Sequence, residues 1–214
     1  MSTITYVTDY ARRERLALAD LLARLGPDEP TLCAGWTTRD LAAHLIVRDR
    51  RPDATAGMLI PPLRGHGERV RLAKAAQPYE TLLREVRTPP WWSPISNPLT
   101  DELVNTTEFF IHHEDARRGR PGWEPRELAE DHQRALWRTT RLAGRLALRS
   151  LGVPVRIRAT GLDSFDVGAN PQVTVEGPAG ELALFLAGRQ RASRVRLDGP
   201  DEAAERVRTA RLGA

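Results

Sequence analysis

Asn105-Thr106-Thr107-Glu108-Phe109-Phe110-Ile111-His112-His113-Glu114-Asp115 combines an apolar centre with acids, amides and imidazoles at helical spacing. Wound as a helix, it projects Glu108 and His112 from one face, a turn apart, where both can grip a single ion. Asp101, Asn105 and Asp115 fall near the same stripe, and Phe109, Phe110 and Ile111 supply the apolar flanks of a buried helix. A carboxylate and an imidazole together are metal-site chemistry. The plainer alternative is an intrahelical ion pair on a solvated face.

Catalytic zinc sites use three protein ligands and leave the fourth position to water or substrate, so a third ligand has to come from elsewhere. The chain has five histidines, His44, His66, His112, His113 and His132. Of the remaining ones His44 stands out. Thr37-Thr38-Arg39-Asp40 resembles a capping box that starts a helix. In that helix His44 shares a face with Asp40, Leu41 and Leu45 and points toward a core. His66 falls in a Gly-Pro-rich loop and His132 in an Arg-rich helix, which makes both poorer ligands.

The phrase Cys33-Ala34-Gly35-Trp36-Thr37-Thr38-Arg39-Asp40-Leu41-Ala42-Ala43-His44-Leu45 resembles the opening motif of the DinB-like, mycothiol-dependent maleylpyruvate isomerase family, and Glu108-x-x-x-His112 resembles its second half. The resemblance covers roughly residues 8–150. It implies an antiparallel four-helix bundle that binds a divalent ion through His44, Glu108 and His112. Zinc is the metal it favours, and nickel, iron or manganese suit the same donors. The run Arg48-Asp49-Arg50-Arg51-Pro52 and the doublet His112-His113 place the chain nearer an uncharacterised metal-binding branch than the isomerase itself.

Outward from these motifs, residues 8–25 read as an amphipathic helix with Ala11, Leu18, Leu21, Leu22 and Leu25 inward, stopped by Gly26-Pro27. The His44 helix runs from Thr37 to about Arg51 and is ended by Pro52. A Gly-Pro loop over 57–67 follows. Residues 67–76 and 78–87 give one helix kinked at Pro78 or two that it separates. The loop Thr88-Pro89-Pro90-Trp91-Trp92-Ser93-Pro94 is either an apolar lid over the site or a cover for the bundle end. Residues 99–118 form the Glu108–His112 helix, and 127–150 the last helix of the bundle.

After Gly152 the period changes to two: Val153/Val155/Ile157, Val173/Val175 and Val195/Leu197 predict three short strands. Helices are expected over 178–189 and 200–211. The phrase Gly180-Glu181-Leu182-Ala183-Leu184-Phe185-Leu186-Ala187-Gly188-Arg189 resembles the sterol-carrier-like domain that accompanies the bundle in that family. The expected fold class is therefore α+β, with a helix bundle over 1–150 and a small α+β domain over 151–214.

At 214 residues and 41% hydrophobic content, the chain can bury a real core. The net charge of +4 comes almost wholly from arginine, since Lys74 is the single lysine among 32 basic residues. The arginines are scattered among acids and apolar positions, which argues for solvated helix faces and against a nucleic-acid surface. No apolar run approaches a membrane span, and Met1–Tyr6 lacks the basic and apolar regions of a secretory signal, so a cytoplasmic protein is expected. Cys33 is the only cysteine; with no histidine near it in sequence, it reads as buried and inert.

The family likeness implies a mechanism in which mycothiol arrives as cosubstrate, is held as a thiolate by the metal and adds to a small electrophilic substrate, giving isomerisation or thiol transfer. Arg189 would then act in catalysis by reaching back from the C-terminal domain to hold a substrate carboxylate. Among the adjacent His113, Glu114 and Asp115, which point to different faces, hydrogen-bond support of the ligands or general acid-base help is open, and His113 reads as readily as a surface or helix-packing residue. Two other classes fit the same residues: a non-catalytic metal-binding stress or regulatory protein, and a small-ligand or lipid carrier centred on the C-terminal domain. The short strands argue against a carrier. No local motif encodes the oligomeric state, monomer or homodimer.

Overall fold

The computed structural model describes residues 9–59, 64–93, 95–96, 101–149 and 151–213. The opening Met1–Tyr6, the middle of the Gly-Pro loop at 60–63 and Pro94 of the tryptophan loop lie outside the described residues. The fold class is α+β, divided into two compact units, Met1–Trp123 and Glu124–Ala214.

The first unit is helical: α1 (Tyr10–Leu25), α2 (Thr38–Arg50), α3 (Pro52–Leu59), α4 (Arg64–Ala75), α5 (Tyr79–Arg87) and α6 (Asp101–Arg117). Its core draws on four of them, with Leu18 and Leu22 from α1, Leu41, Leu45 and Ile46 from α2, Leu82, Leu83 and Val86 from α5, and Phe109 and Ala116 from α6. Leu21 and Leu25 pack at the edge of this core and are half-buried. The box at the start of α2 forms as the sequence implies: Thr37 N–H donates to Asp40 Oδ2 at 3.0 Å.

Pro52 both ends α2 and begins α3. A proline lacks the N–H that the first helical residue has no use for, so it serves the new helix at the position where it breaks the old one. At Pro78 the chain separates two helices; its extended ψ of 133° makes it the residue preceding α5.

Several arginines expected on solvated faces are buried instead. Arg15 and Asp49 pair at 2.5 Å with both side chains 2% exposed, and the Arg15 guanidinium lies 4.1 Å from the centroid of Phe109. Arg118 is buried against Glu114 at 2.5 Å. His113 packs α6 onto α1 through Glu14 at 2.7 Å. The ion pairs thus replace water as partners for charges that the helix packing has enclosed.

The turn Cys33–Trp36 closes with Trp36 N–H donating to Cys33 O at 2.9 Å, and Gly35 takes a left-handed φ of 77° that side chains disfavour. The loop is pinned to the end of α6 by Leu32 N–H to Asp115 O at 3.0 Å. Gly119 allows that approach, since a Cβ there would stand 2.0 Å from Pro30 O.

The second unit contains α7 (Glu130–Ala147), β1 (Val155–Ala159), β2 (Ser164–Val167), β3 (Val173–Gly177), α8 (Ala179–Leu186), β4 (Arg196–Asp198) and α9 (Asp201–Thr209). The sheet is mixed, in the order β2-β1-β3-β4. β1 and β3 run parallel with Val155 opposite Val173, while β1–β2 and β3–β4 are antiparallel. Four strands form where three are expected. β2 was missed because Ser164-Phe165-Asp166-Val167 offers only Phe165 as a buried anchor.

The division falls at Trp123/Glu124 and not near 150, so α7 belongs to the second unit. The cause is packing. Gly144 lets α8 approach so closely that a Cβ there would meet Leu186 Cδ1 at 2.8 Å. Trp137 stacks 5.6 Å from Phe165, and Arg141 pairs with Asp163 at 2.6 Å. Among the described residues, no helix is long and apolar enough to cross a membrane.

Candidate metal centre

Three elements of the first unit converge. α6 presents Glu108 and His112 a turn apart, α2 presents His44 and Arg48 a turn apart, and the Cys33–Trp36 turn closes one side. His112 Nε2 lies 3.2 Å and His44 Nε2 3.7 Å from the same oxygen, Glu108 Oε1. One ligand atom from each of the three residues falls within 4.8 Å of the others, the separation that donors around one small cation require. All three residues named from the sequence are brought together.

The surroundings fix these side chains. The His44 ring lies 5.1 Å from Trp36 on one side and 5.1 Å edge-on from His112 on the other. His112 Nδ1 is 2.9 Å from Asp115 Oδ2. With that nitrogen protonated, the carboxylate accepts its hydrogen and Nε2 faces Glu108 and His44. Arg48 Nε sits 3.1 Å from Glu108 Oε1.

Charge states follow from the same contacts. Burial lowers the His44 pKa below its ordinary value, with the nearby positive charges of His112 and Arg48 acting in the same direction. Burial would raise the Glu108 carboxyl, but hydrogen bonds from His112 and His44 and the neighbouring positive charges hold it well below the usual range. For His112 burial opposes the charge, and hydrogen bonds to Asp115, Cys33 and Glu108 overcome it and raise the pKa well above the usual value. The metal-free cluster therefore holds a neutral His44, an ionised Glu108 and a protonated His112.

Cys33 is not isolated, as its sequence surroundings suggest. Its Sγ lies 3.2 Å from Asp115 Oδ2, and Cys33, His112 and Asp115 make a second group of close potential ligands. The two groups share His112, Nε2 facing the first and Nδ1 the second. No local pattern links residues 33 and 115; they meet because the turn docks on the end of α6.

Arg48 was also passed over as a solvated charge, although its place four residues after His44 sets it on the same face of α2. Trp91 and Trp92 are exposed, at 87% and 50%, and Trp36 is the aromatic neighbour of His44. His66 pairs with Asp53 at 2.8 Å and His132 belongs to α7; neither joins a ligand group among the described residues. Arg189 lies in the second unit, where its Nη1 donates to Ala187 O at 2.6 Å. A groove of about 500 Å³, lined by Ile46, Arg50, His66 and Lys74 among others, contains none of His44, Glu108 and His112.

Compared with known proteins, the chain matches no protein-family model, no curated protein and no solved structure.

Proposed function

We propose that the first unit is a divalent-metal-binding module whose ligands are His44, Glu108 and His112. The observation that carries this reading is the approach of two imidazoles from two helices to one carboxylate oxygen, Glu108 Oε1, with His112 oriented from behind by Asp115. Two imidazoles and a carboxylate suit zinc, and also nickel, iron or manganese. The Cys33–His112–Asp115 group is the weaker ligand set, because a hydrogen bond from His112 to Asp115 already uses that side of the ring in the manner of a supporting carboxylate.

The chain's own groups prepare the site. His44, whose pKa burial lowers, carries no positive charge that an ion must displace near neutrality. Glu108 supplies the anionic donor, and Arg48 Nε contacts the same carboxylate oxygen that the two histidines approach. Trp36 packs against the His44 ring and restricts its rotation. Asp115 fixes the His112 tautomer. An ion with three protein ligands and one open position supplies Lewis acidity and stabilises a bound thiolate at neutral pH.

The favoured activity is therefore thiol-dependent chemistry, transfer or isomerisation, on a small electrophile. The cosubstrate would be a low-molecular-weight thiol such as mycothiol. The DinB-like four-helix bundle that this reading presupposes would be α1, α2, α5 and α6, which supply the core. A non-catalytic metal-binding role uses the same ligands and differs in one respect, the absence of thiol binding. Cobalt(II)-loaded protein separates the two. Adding mycothiol or a simpler thiol should produce a sulfur-to-cobalt charge-transfer band that His112→Ala abolishes; cobalt loading without that band would leave metal binding standing and remove the thiol chemistry.

A further inference from the structure

Arg48 is 10% exposed, and its guanidinium is fixed at two points. Nε contacts Glu108 Oε1 at 3.1 Å, and Nη1 donates to Asn105 Oδ1 at 2.5 Å. The orientation of the Asn105 amide is set in turn, because its Nδ2 donates to Asp101 Oδ1 at 2.6 Å and Ile95 O at 2.6 Å. The amide oxygen can only face the arginine. Arg48 Nη2 has no hydrogen-bond partner among the described residues. A rigid cation with a spare donor thus stands against the same carboxylate oxygen that both histidines approach.

Charge counting gives this placement a consequence. With a divalent ion in the site, two positive charges and that of Arg48 stand against the two carboxylates in direct contact, Glu108 and Asp115, an excess of one positive charge that Asp101 offsets only from beyond the Asn105 amide. A protein site of low exposure screens that excess weakly. A monoanion in the open position would neutralise it and give Nη2 a charged acceptor, whereas a neutral ligand would leave that charge in place. Carboxylates suit a guanidinium donor in geometry as well as charge.

We propose that Arg48 is the anion-selecting residue of this centre, holding the free oxygen of a carboxylate-bearing ligand whose other oxygen takes the open metal position. The inference rests on the metal reading and goes beyond it by naming the ligand class and the side chain that selects it. A purely structural Arg48 that only braces Glu108 would affect all ligands of the ion alike.

The test uses full-length cobalt(II)-loaded protein and follows the visible spectrum during titration with acetate, with isosteric but uncharged acetamide, and with imidazole. Wild type should bind acetate well and acetamide far more weakly. In Arg48→Gln the acetate affinity should fall about tenfold or more, as loss of a charge-assisted hydrogen bond implies, while imidazole affinity stays within about twofold, a spread too small to report a lost interaction. Arg48→Lys, which keeps the charge, should recover part of the loss. Should Arg48→Gln fail to load cobalt, the Arg48→Lys titration, read as acetate affinity against imidazole affinity, still decides. Equal binding of acetate and acetamide by wild type, or a parallel loss of acetate and imidazole in the variants, would overturn the role of Arg48 alone. Failure of wild type to take up cobalt would instead remove the metal reading, and this inference with it.

Discussion

Zinc binding to this chain should release a proton, and the structure identifies its source. Of the three proposed ligands, Glu108 is ionised and His44 is held below the ordinary imidazole value, so neither has a proton to lose near neutrality. His112 is different. Burial works against its charge, but Asp115, Cys33 and Glu108 hold the ring protonated above the ordinary imidazole value. An ion can bind Nε2 only after that proton leaves. Near pH 7, above the ordinary imidazole value that His44 falls below and beneath the raised value of His112, about one proton per ion should therefore come from His112. Affinity should rise about tenfold per pH unit, about 1.4 kcal/mol, until the pH passes the raised pKa, and then level off.

The same shift has the opposite sign for the metal-free fold. Its stabilising contribution is complete below the unfolded imidazole value and is lost as pH rises through the raised one. Calorimetry of zinc binding in buffers of different ionisation enthalpy counts the protons directly. Release of none would refute the charge assignment of His112. Release of two would show that His44 is protonated as well, against the effect assigned to its burial.

Three further outcomes follow from particular contacts. Asp115→Asn leaves the packing almost unchanged but withdraws the negative charge behind His112, and should weaken zinc binding by about 10- to 100-fold in a competitive chelator titration; an unchanged constant would contradict the supporting role of Asp115. Arg15→Leu leaves Asp49 buried without its partner and should cost about 3–5 kcal/mol in urea unfolding. A cost under about 1 kcal/mol, the range of exposed pairs, would mean that water reaches this pair. Gly119→Ala places a methyl group against Pro30 O and should cost about 1–3 kcal/mol by the same assay, together with weaker metal binding as the Cys33 turn lifts from Asp115; a neutral result would show that the loop is not pinned there.

The parts of this architecture that were legible in the sequence are those written within one element. Glu108 and His112 are a turn apart on one helix, and Thr37 and Asp40 announce the start of the helix that carries His44. The change to alternating Val and Arg after Gly152 marked the sheet. What was not legible depends on how elements dock. Cys33 reaches Asp115 only because the Leu32 amide finds a carbonyl at the end of α6. Arg15, Arg118 and Asp49 look like surface charges in a helical wheel and are buried because each meets an opposite charge or polar group from another turn or helix. The long amphipathic α7 carries the same pattern as a bundle helix, and only the close approach of α8 at Gly144 shows which unit owns it. Arg48 is the instructive omission. Its spacing from His44 is visible in the sequence, but arginines scattered among acids and apolar positions suit solvated faces equally well, and only the tertiary fold sets this one against Glu108.

The most direct test of the central claim is the metal content of untagged full-length protein by elemental analysis, beside His44→Ala and His112→Ala, with circular dichroism to show that each chain is folded. The account predicts about one divalent ion per wild-type chain, as a three-ligand site requires, and its loss from both folded variants. Wild-type protein that carries no divalent metal and takes up none on incubation, or a folded variant that keeps the full complement, would contradict it.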